Sequence, residues 1–230
     1  MNAADRATAE RHQAIWEEFR LRPVVTAWTG RVPLPPEVTA AVGFVIPVDD
    51  ATVRQSLQEV VSRLGATGCV TAFPADYWHI TVVPPAFLTS GDPAPPRLLP
   101  PSFVQEALEK SRAAVRGQGA FDMAVRGLNA FRDVAVAVPY DGGRGLELAS
   151  ILRAAIPELP ERYLDGHEPL PHISLTQYAR NDRLEELVGL IHMERERDFG
   201  RFCADRLEMF VLPWHNGAPG RVEKHVIPLD

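Results

Sequence analysis

Two short segments place side chains capable of acid–base chemistry in the same local pattern. "YWHITVVPP" runs from Tyr77 to Pro85 and "LPHISLTQY" from Leu170 to Tyr178, and each sets a histidine, an apolar residue and a small hydroxyl in succession. Imidazole is the side chain whose ordinary pKa lies near neutrality, so two of them can divide the work of general base and general acid. A hydroxyl beside each is a donor suited to an anionic oxygen. The combination fits an in-line displacement at phosphorus. One histidine takes a proton from the attacking oxygen, the other gives one to the leaving oxygen, and the hydroxyls hold the non-bridging oxygens. Which histidine is the base the pattern leaves open.

Spacing alone is weak support. With seven histidines and 17 Ser or Thr in 230 residues, chance supplies about half of one His-x-Ser/Thr match. The context is what selects these two. Both lie in apolar runs that read as strands, where residues two apart share a face. His79 and Thr81 therefore face one side and Ile80 and Val82 the other, as do His172 and Ser174 against Ile173 and Leu175.

The elements that must hold these strands form a repeat. "AAVGFVIPV" reads as a strand followed by the helix "DDATVRQSLQEVVSRLG", and "DVAVAVPY" as a strand followed by the helix "GLELASILRAAI". Aligning Pro47 with Pro139 gives an offset of 92, and the two histidines give 93. After each His strand comes a further helix, in "SFVQEALEKSRAAVRG" and "NDRLEELVGLIHMERE", and then a Phe-led strand at Phe121 and Phe202. The smaller offset of 81 there reflects the loop "TSGDPAPPRLLPP", whose prolines exclude regular pairing. Two diverged copies of one unit account for the order of elements from residue 40 to the end, closed by strands in "FCADRLEMFVLP" and "EKHVIPL". The expected fold is α+β, with two pseudo-symmetric lobes, each an antiparallel-rich sheet with helices on its outer face, around a central cleft. Residues 39–230 form this bilobal domain. Residues 1–38 are an arm and connector: Ile15, Trp16 and Phe19 give residues 5–20 an amphipathic helix laid on the main domain, and "RVPLPPEVT" is a proline-punctuated connector.

Composition narrows the partners. A formal charge of -6 and 46% apolar residues describe an ordinary globular protein without the broad basic face that grips long nucleic acid. Cys69 and Cys203 fit neither a disulfide framework nor a zinc spacing, which points to reduced, structural thiols. No apolar run approaches the roughly 18 residues of a membrane span, and the first 20 residues lack the apolar core of a signal peptide. A cytoplasmic monomer is expected. No Asp or Glu recurs beside both histidines at ligand spacing, so no metal or cofactor is expected. His167 reads as a solvated loop residue, His192 belongs to a polar helix, and His215 and His225 have no matching partners. "DGGRG" at Gly142, Gly143 and Gly145 lacks the Lys-Ser/Thr ending of a phosphate loop and reads as a strand-to-helix turn. Trp78, Phe131, Tyr178 and Trp214 are candidates to stack on a base, against the plainer role of capping the core at strand ends.

The paired "HITV" and "HISL" motifs and the duplicated order of elements resemble the two-histidine (2H) phosphoesterase superfamily, which includes 2',5' RNA ligase-like and cyclic phosphodiesterase proteins. The resemblance covers roughly residues 40–230; the arm has no counterpart in the minimal fold. It implies metal-independent catalysis by His79, Thr81, His172 and Ser174 on a small nucleotide or RNA end bearing a 2',3'-cyclic phosphate or a 2'-5' linkage. The alternatives are RNA end-joining by the reverse reaction, and a nucleotide-binding module without useful turnover.

Overall fold

A computed structural model describes residues 1–27, 34–91, 98–163, 166–215, 218–219 and 221–230. Part of the proline-punctuated connector and the centre of the Pro-rich loop lie outside the described residues.

The strands form two halves of one continuous sheet. Strands β1 (Val38–Pro47), β3 (His79–Thr89) and β9 (Arg206–His215), with β11 (Glu223–Pro228) beyond, make the first half in the order β11-β9-β1-β3. Strands β7 (Ile173–Tyr178), β6 (Val134–Tyr140), β5 (Phe121–Ala130) and β8 (Asp198–Ala204) continue it as β7-β6-β5-β8. The halves meet where Ile80 pairs with Ile173 across antiparallel β3 and β7. A two-fold through that pair relates β3 to β7, β1 to β6, β9 to β5 and β11 to β8. This corrects one expectation: the strands led by Phe121 and Phe202 are not mates in space but neighbours in the second half, with Met123 opposite Phe202. The third strand of the first copy thus crosses to the second half. Short strands β2 (Val70–Ala72), β4 (Leu98–Leu99) and β10 (Ala218–Pro219) complete the sheet. β4 is a second correction, because Leu98 and Leu99 pair in parallel with Phe87 and Leu88 despite the surrounding prolines.

The helices cross over as well. α2 (Ala51–Ala66), which follows β1, packs on β2, β7 and β8, while α4 (Arg144–Ala155), which follows β6, packs on β3. They cover the apolar face on which Ile80, Val83, Ile173 and Leu175 are buried. α3 (Phe103–Ala114) packs on α4 and β11, and α5 (Leu184–Met193) on β5 and α2. Asp50 caps α2 by accepting from Val53 N. At the start of α4, Asp141 accepts from Gly143 N and Gly145 N, so the anion held by the "DGGRG" turn is the chain's own carboxylate.

The arm is integral to this body. α1 (Ala3–Leu21) buries His12, Trp16 and Phe19, a stripe that includes His12 where the sequence pointed to the half-buried Ile15. At its start, Asn2 Nδ2 donates to Gly142 O, and Gly142 N donates to Asp5 Oδ1. Gly142 and Gly143 have φ of 71° and 96°, and a Cβ on either would come within 2.9 Å of Asn2 or Ala4. Further along, Arg195 lies over the Trp16 ring and donates to Gln13 Oε1 and Leu128 O. Among the described residues no helix is long and apolar enough to cross a membrane.

Candidate active site

At the junction the register gathers the four motif residues onto one face. With Ile80 opposite Ile173, antiparallel geometry sets His79 across from Ser174 and Thr81 across from His172, on the side opposite the two buried isoleucines. All four are half-buried. Each half adds the same irregularity next to its motif: Thr81 and Val83 oppose the consecutive Val45 and Phe44, and Ser174 and Thr176 oppose the consecutive Val136 and Ala135. Val82 and Leu175 are the extra residues of these bulges, a device common beside functional sites. Two hydroxyls and two imidazoles thus occupy the corners of one patch, with the two-fold through its centre.

The imidazoles are held alike. His79 Nδ1 donates to Tyr77 O at 2.6 Å, and His172 Nδ1 donates to Leu170 O at 2.8 Å. A carbonyl can only accept, so in both rings Nδ1 carries a proton and Nε2 is the nitrogen left for proton transfer. Burial lowers both pKa values from the ordinary 6.5, against the raising effect of the backbone hydrogen bond. At His79 the charges of His172 and Lys224 lower it further and Glu208 raises it; at His172, Asp133 raises it. In both rings burial therefore favours the neutral form.

Aromatic rings flank the patch. Tyr77 meets His79 edge-on at 5.1 Å and stacks on Phe73 at 5.0 Å; Phe131 meets His172 edge-on at 4.9 Å. Phe131 is thus the one aromatic candidate brought to the patch. Trp78 and Tyr178 correct the expectation that they stack on a base, being 1% and 0% exposed. Trp78 adjoins His79 and so points to the opposite face. Tyr178 would share the face of Ser174 but for the bulge at Leu175, which reverses the alternation. Trp214 is half-buried and lies six residues along β9 from Glu208, roughly 20 Å away, outside the patch.

The outer part of the same face differs between halves. Pairing runs from Thr81 through Val45 to Glu208 on one side and from Ser174 through Val136 to Asn129 on the other. Glu208 is buried and has Lys224 Nζ 3.0 Å away, and Phe210 lies over Gly43, where a Cβ would approach its ring to 2.7 Å. Asn129 is fully buried beneath α1. Sequence reasoning missed His12, Tyr77, Asn129, Glu208 and Lys224. His12 was legible four residues before Trp16, and Asn129 and Glu208 as polar residues inside apolar strands. Among the described residues no group of three or more His, Cys, Asp or Glu could hold a metal ion.

A curled antiparallel sheet carrying paired His-x-Thr/Ser strands is the architecture of a 2H phosphoesterase. The chain belongs to the 2'-5' RNA ligase superfamily, whose family model matches residues 50–212. No curated protein matches the chain. Among solved structures it is similar to TT0787 of Thermus thermophilus, with a TM-score of 0.57 and 18% identity over 81% of this chain and 97% of that one. It is also similar to E. coli LigT complexed with ATP, with a TM-score of 0.53 and 16% identity over 83% and 99%. Usb1 of Kluyveromyces marxianus with uridine monophosphate gives 0.52 and 13% over 83% and 99%. At these identities the likeness is one of fold.

Proposed function

We propose that the protein is a phosphodiesterase that opens a 2',3'-cyclic phosphate, or cleaves a 2'-5' linkage, on a small nucleotide or an RNA end. The observation that carries this reading is the matched pair of imidazoles, each with Nδ1 tied to a carbonyl of its own chain and Nε2 available, beside a hydroxyl on one face. For a cyclic phosphate, one Nε2 accepts a proton from water as the water oxygen bonds to phosphorus. The bond from phosphorus to one ribose oxygen breaks, and the other imidazolium donates its proton to that oxygen. Thr81 and Ser174 donate to the non-bridging oxygens. Acid, base and anion stabilisation all come from side chains. The same groups serve the reverse direction, joining a hydroxyl to a cyclic phosphate. That LigT is described complexed with ATP and with 3'-AMP, and Usb1 with uridine monophosphate, supports a nucleotide as the ligand.

The test is incubation with 2',3'-cyclic mononucleotides and 2'-5' dinucleotides in EDTA at catalytic enzyme concentration. Multiple turnover is expected. Stoichiometric binding without product would leave a nucleotide-binding module, and activity lost on chelation and restored by zinc or manganese would replace the side-chain mechanism with a metal-assisted one.

A further inference from the structure

We propose that His12 of the N-terminal helix is a positioning residue for His172, and that the helix fixes one half of the catalytic pair. The inference rests on the reading of His172 as acid or base, but its structural part can be tested apart from turnover.

His12 is 2% exposed and lies outside the segment matched by the family, yet its side chain is fully engaged. Its Nε2 is 2.9 Å from the carbonyl of Pro171, the residue immediately before His172. A carbonyl only accepts, so Nε2 carries the proton and Nδ1 is an acceptor. Asn129 Nδ2 supplies the matching donor, 2.9 Å from His12 Nδ1 and 2.8 Å from His12 O, while Asn129 Oδ1 accepts from Ala130 N. The His12 ring stacks on Phe131 at 5.8 Å, and Phe131 in turn sets its edge against His172 at 4.9 Å. Arg11 adds a bond to Pro169 O at 3.4 Å. Two routes therefore run from α1 to His172, a hydrogen bond to the peptide before it and a ring placed against its imidazole.

The need for such a brace follows from the strands. His79 is the first residue of β3 and has Tyr77, stacked on Phe73, at its side. His172 precedes β7, which begins at Ile173, so its own residue lacks the ladder that fixes a strand. The peptides on its N-terminal side find donors in α1 instead. A buried imidazole satisfied at both nitrogens is a costly arrangement to assemble for packing alone, since an apolar side chain would fill the space without needing partners.

The test compares wild type with His12→Phe, which keeps a ring against Phe131 and removes both polar contacts, and with His12→Gln, which can restore a donor toward Pro171 O. Turnover of a 2',3'-cyclic mononucleotide should fall about ten- to a hundredfold in kcat for His12→Phe with KM little changed, as expected for a misplaced reacting group, and should recover most of that loss in His12→Gln. Side-chain NMR supplies the arm independent of activity. The imidazole signals of His172 should shift or broaden in His12→Phe while those of His79 stay in place. In the wild type itself, His12 should be the Nε2–H tautomer and His172 the Nδ1–H tautomer. The opposite tautomer at His12, or unmoved His172 signals with wild-type kcat in a folded His12→Phe, would overturn the inference. If no cyclic phosphate is turned over, the proposed reaction fails, and the NMR comparison still decides whether His12 positions His172.

Discussion

His79 and His172 each spend one ring nitrogen on a carbonyl two residues earlier and keep the other. A core histidine serving packing alone has no reason to repeat that division in two halves of a sheet. Replacing either by Ala should lower kcat by about two to four powers of ten, and replacing both should cost far less than the product, because the two act as one unit. Thr81→Ala and Ser174→Ala should each cost about two to three powers of ten at most. All four variants should keep their melting temperature within a few degrees, since Ile80 and Ile173 stay buried on the other face. Undiminished turnover in a folded single-histidine variant removes that residue from the mechanism. The pKa directions add a second expectation. In the proposed reaction the active population carries one proton on the pair, and both pKa values lie below the ordinary 6.5. The profile of kcat/KM should therefore peak on the acid side of about pH 6.5 and fall through neutrality; a profile still rising from pH 6 to 8 contradicts it.

At the scale of elements, what the sequence disclosed depended on alternation. A period of two tells which neighbours of each histidine face the core, and the pairing of Ile80 with Ile173 puts the two motifs side by side. The same period puts Trp78 on the face opposite His79, whereas at Tyr178 the bulge at Leu175 shifts the alternation and leaves no mark in residue type. The repeat was legible through its paired Pro and His offsets, but the crossing of β5 into the second half was not, because pairing partners separated by dozens of residues leave no local pattern. α1 was legible as a helix and not as a partner of the segment before His172, since His12 reads as polar until its partners Asn129 and Pro171 are in place. His12 also predicts a stability effect. Burial lowers its pKa to about 4 in the folded chain, so between that value and 6.5 the unfolded chain binds more protons. Its contribution is complete above pH 6.5 and is lost as the pH falls toward 4, a difference of about 3 kcal/mol. Denaturant titrations at pH 7 and pH 4.5 should show a steep fall in wild type and a shallower one in His12→Gln. Equal slopes would mean that His12 is not the titrating group.

Considered whole, the molecule is two related halves that cannot part cleanly. β3 and β7 meet through the single pair Ile80 and Ile173, which by itself is a slender seam. The crossings reinforce it. α2 leaves the first half to cover β7 and β8, α4 leaves the second to cover β3, and β5 carries the chain of the first copy into the second sheet half. Separating the halves would strip apolar cover from both at once, so each depends on the other for its core. The proposed reaction would need the same coupling, because it holds a phosphate between groups from opposite sides of the seam. The protein should therefore unfold in one transition, with fluorescence and circular dichroism curves superimposed. Ile173→Ala removes buried side-chain volume at the seam and should cost about 2–5 kcal/mol, lowering the melting temperature by roughly 2–4 °C for each kcal/mol while the transition stays single. The imidazole signals of His79 and His172 should both move in this variant, since the pair they flank has changed on one side. Two resolved transitions, or a shift confined to His172, would mean that the halves are independent units and that the geometry of the patch is set within each rather than across the seam.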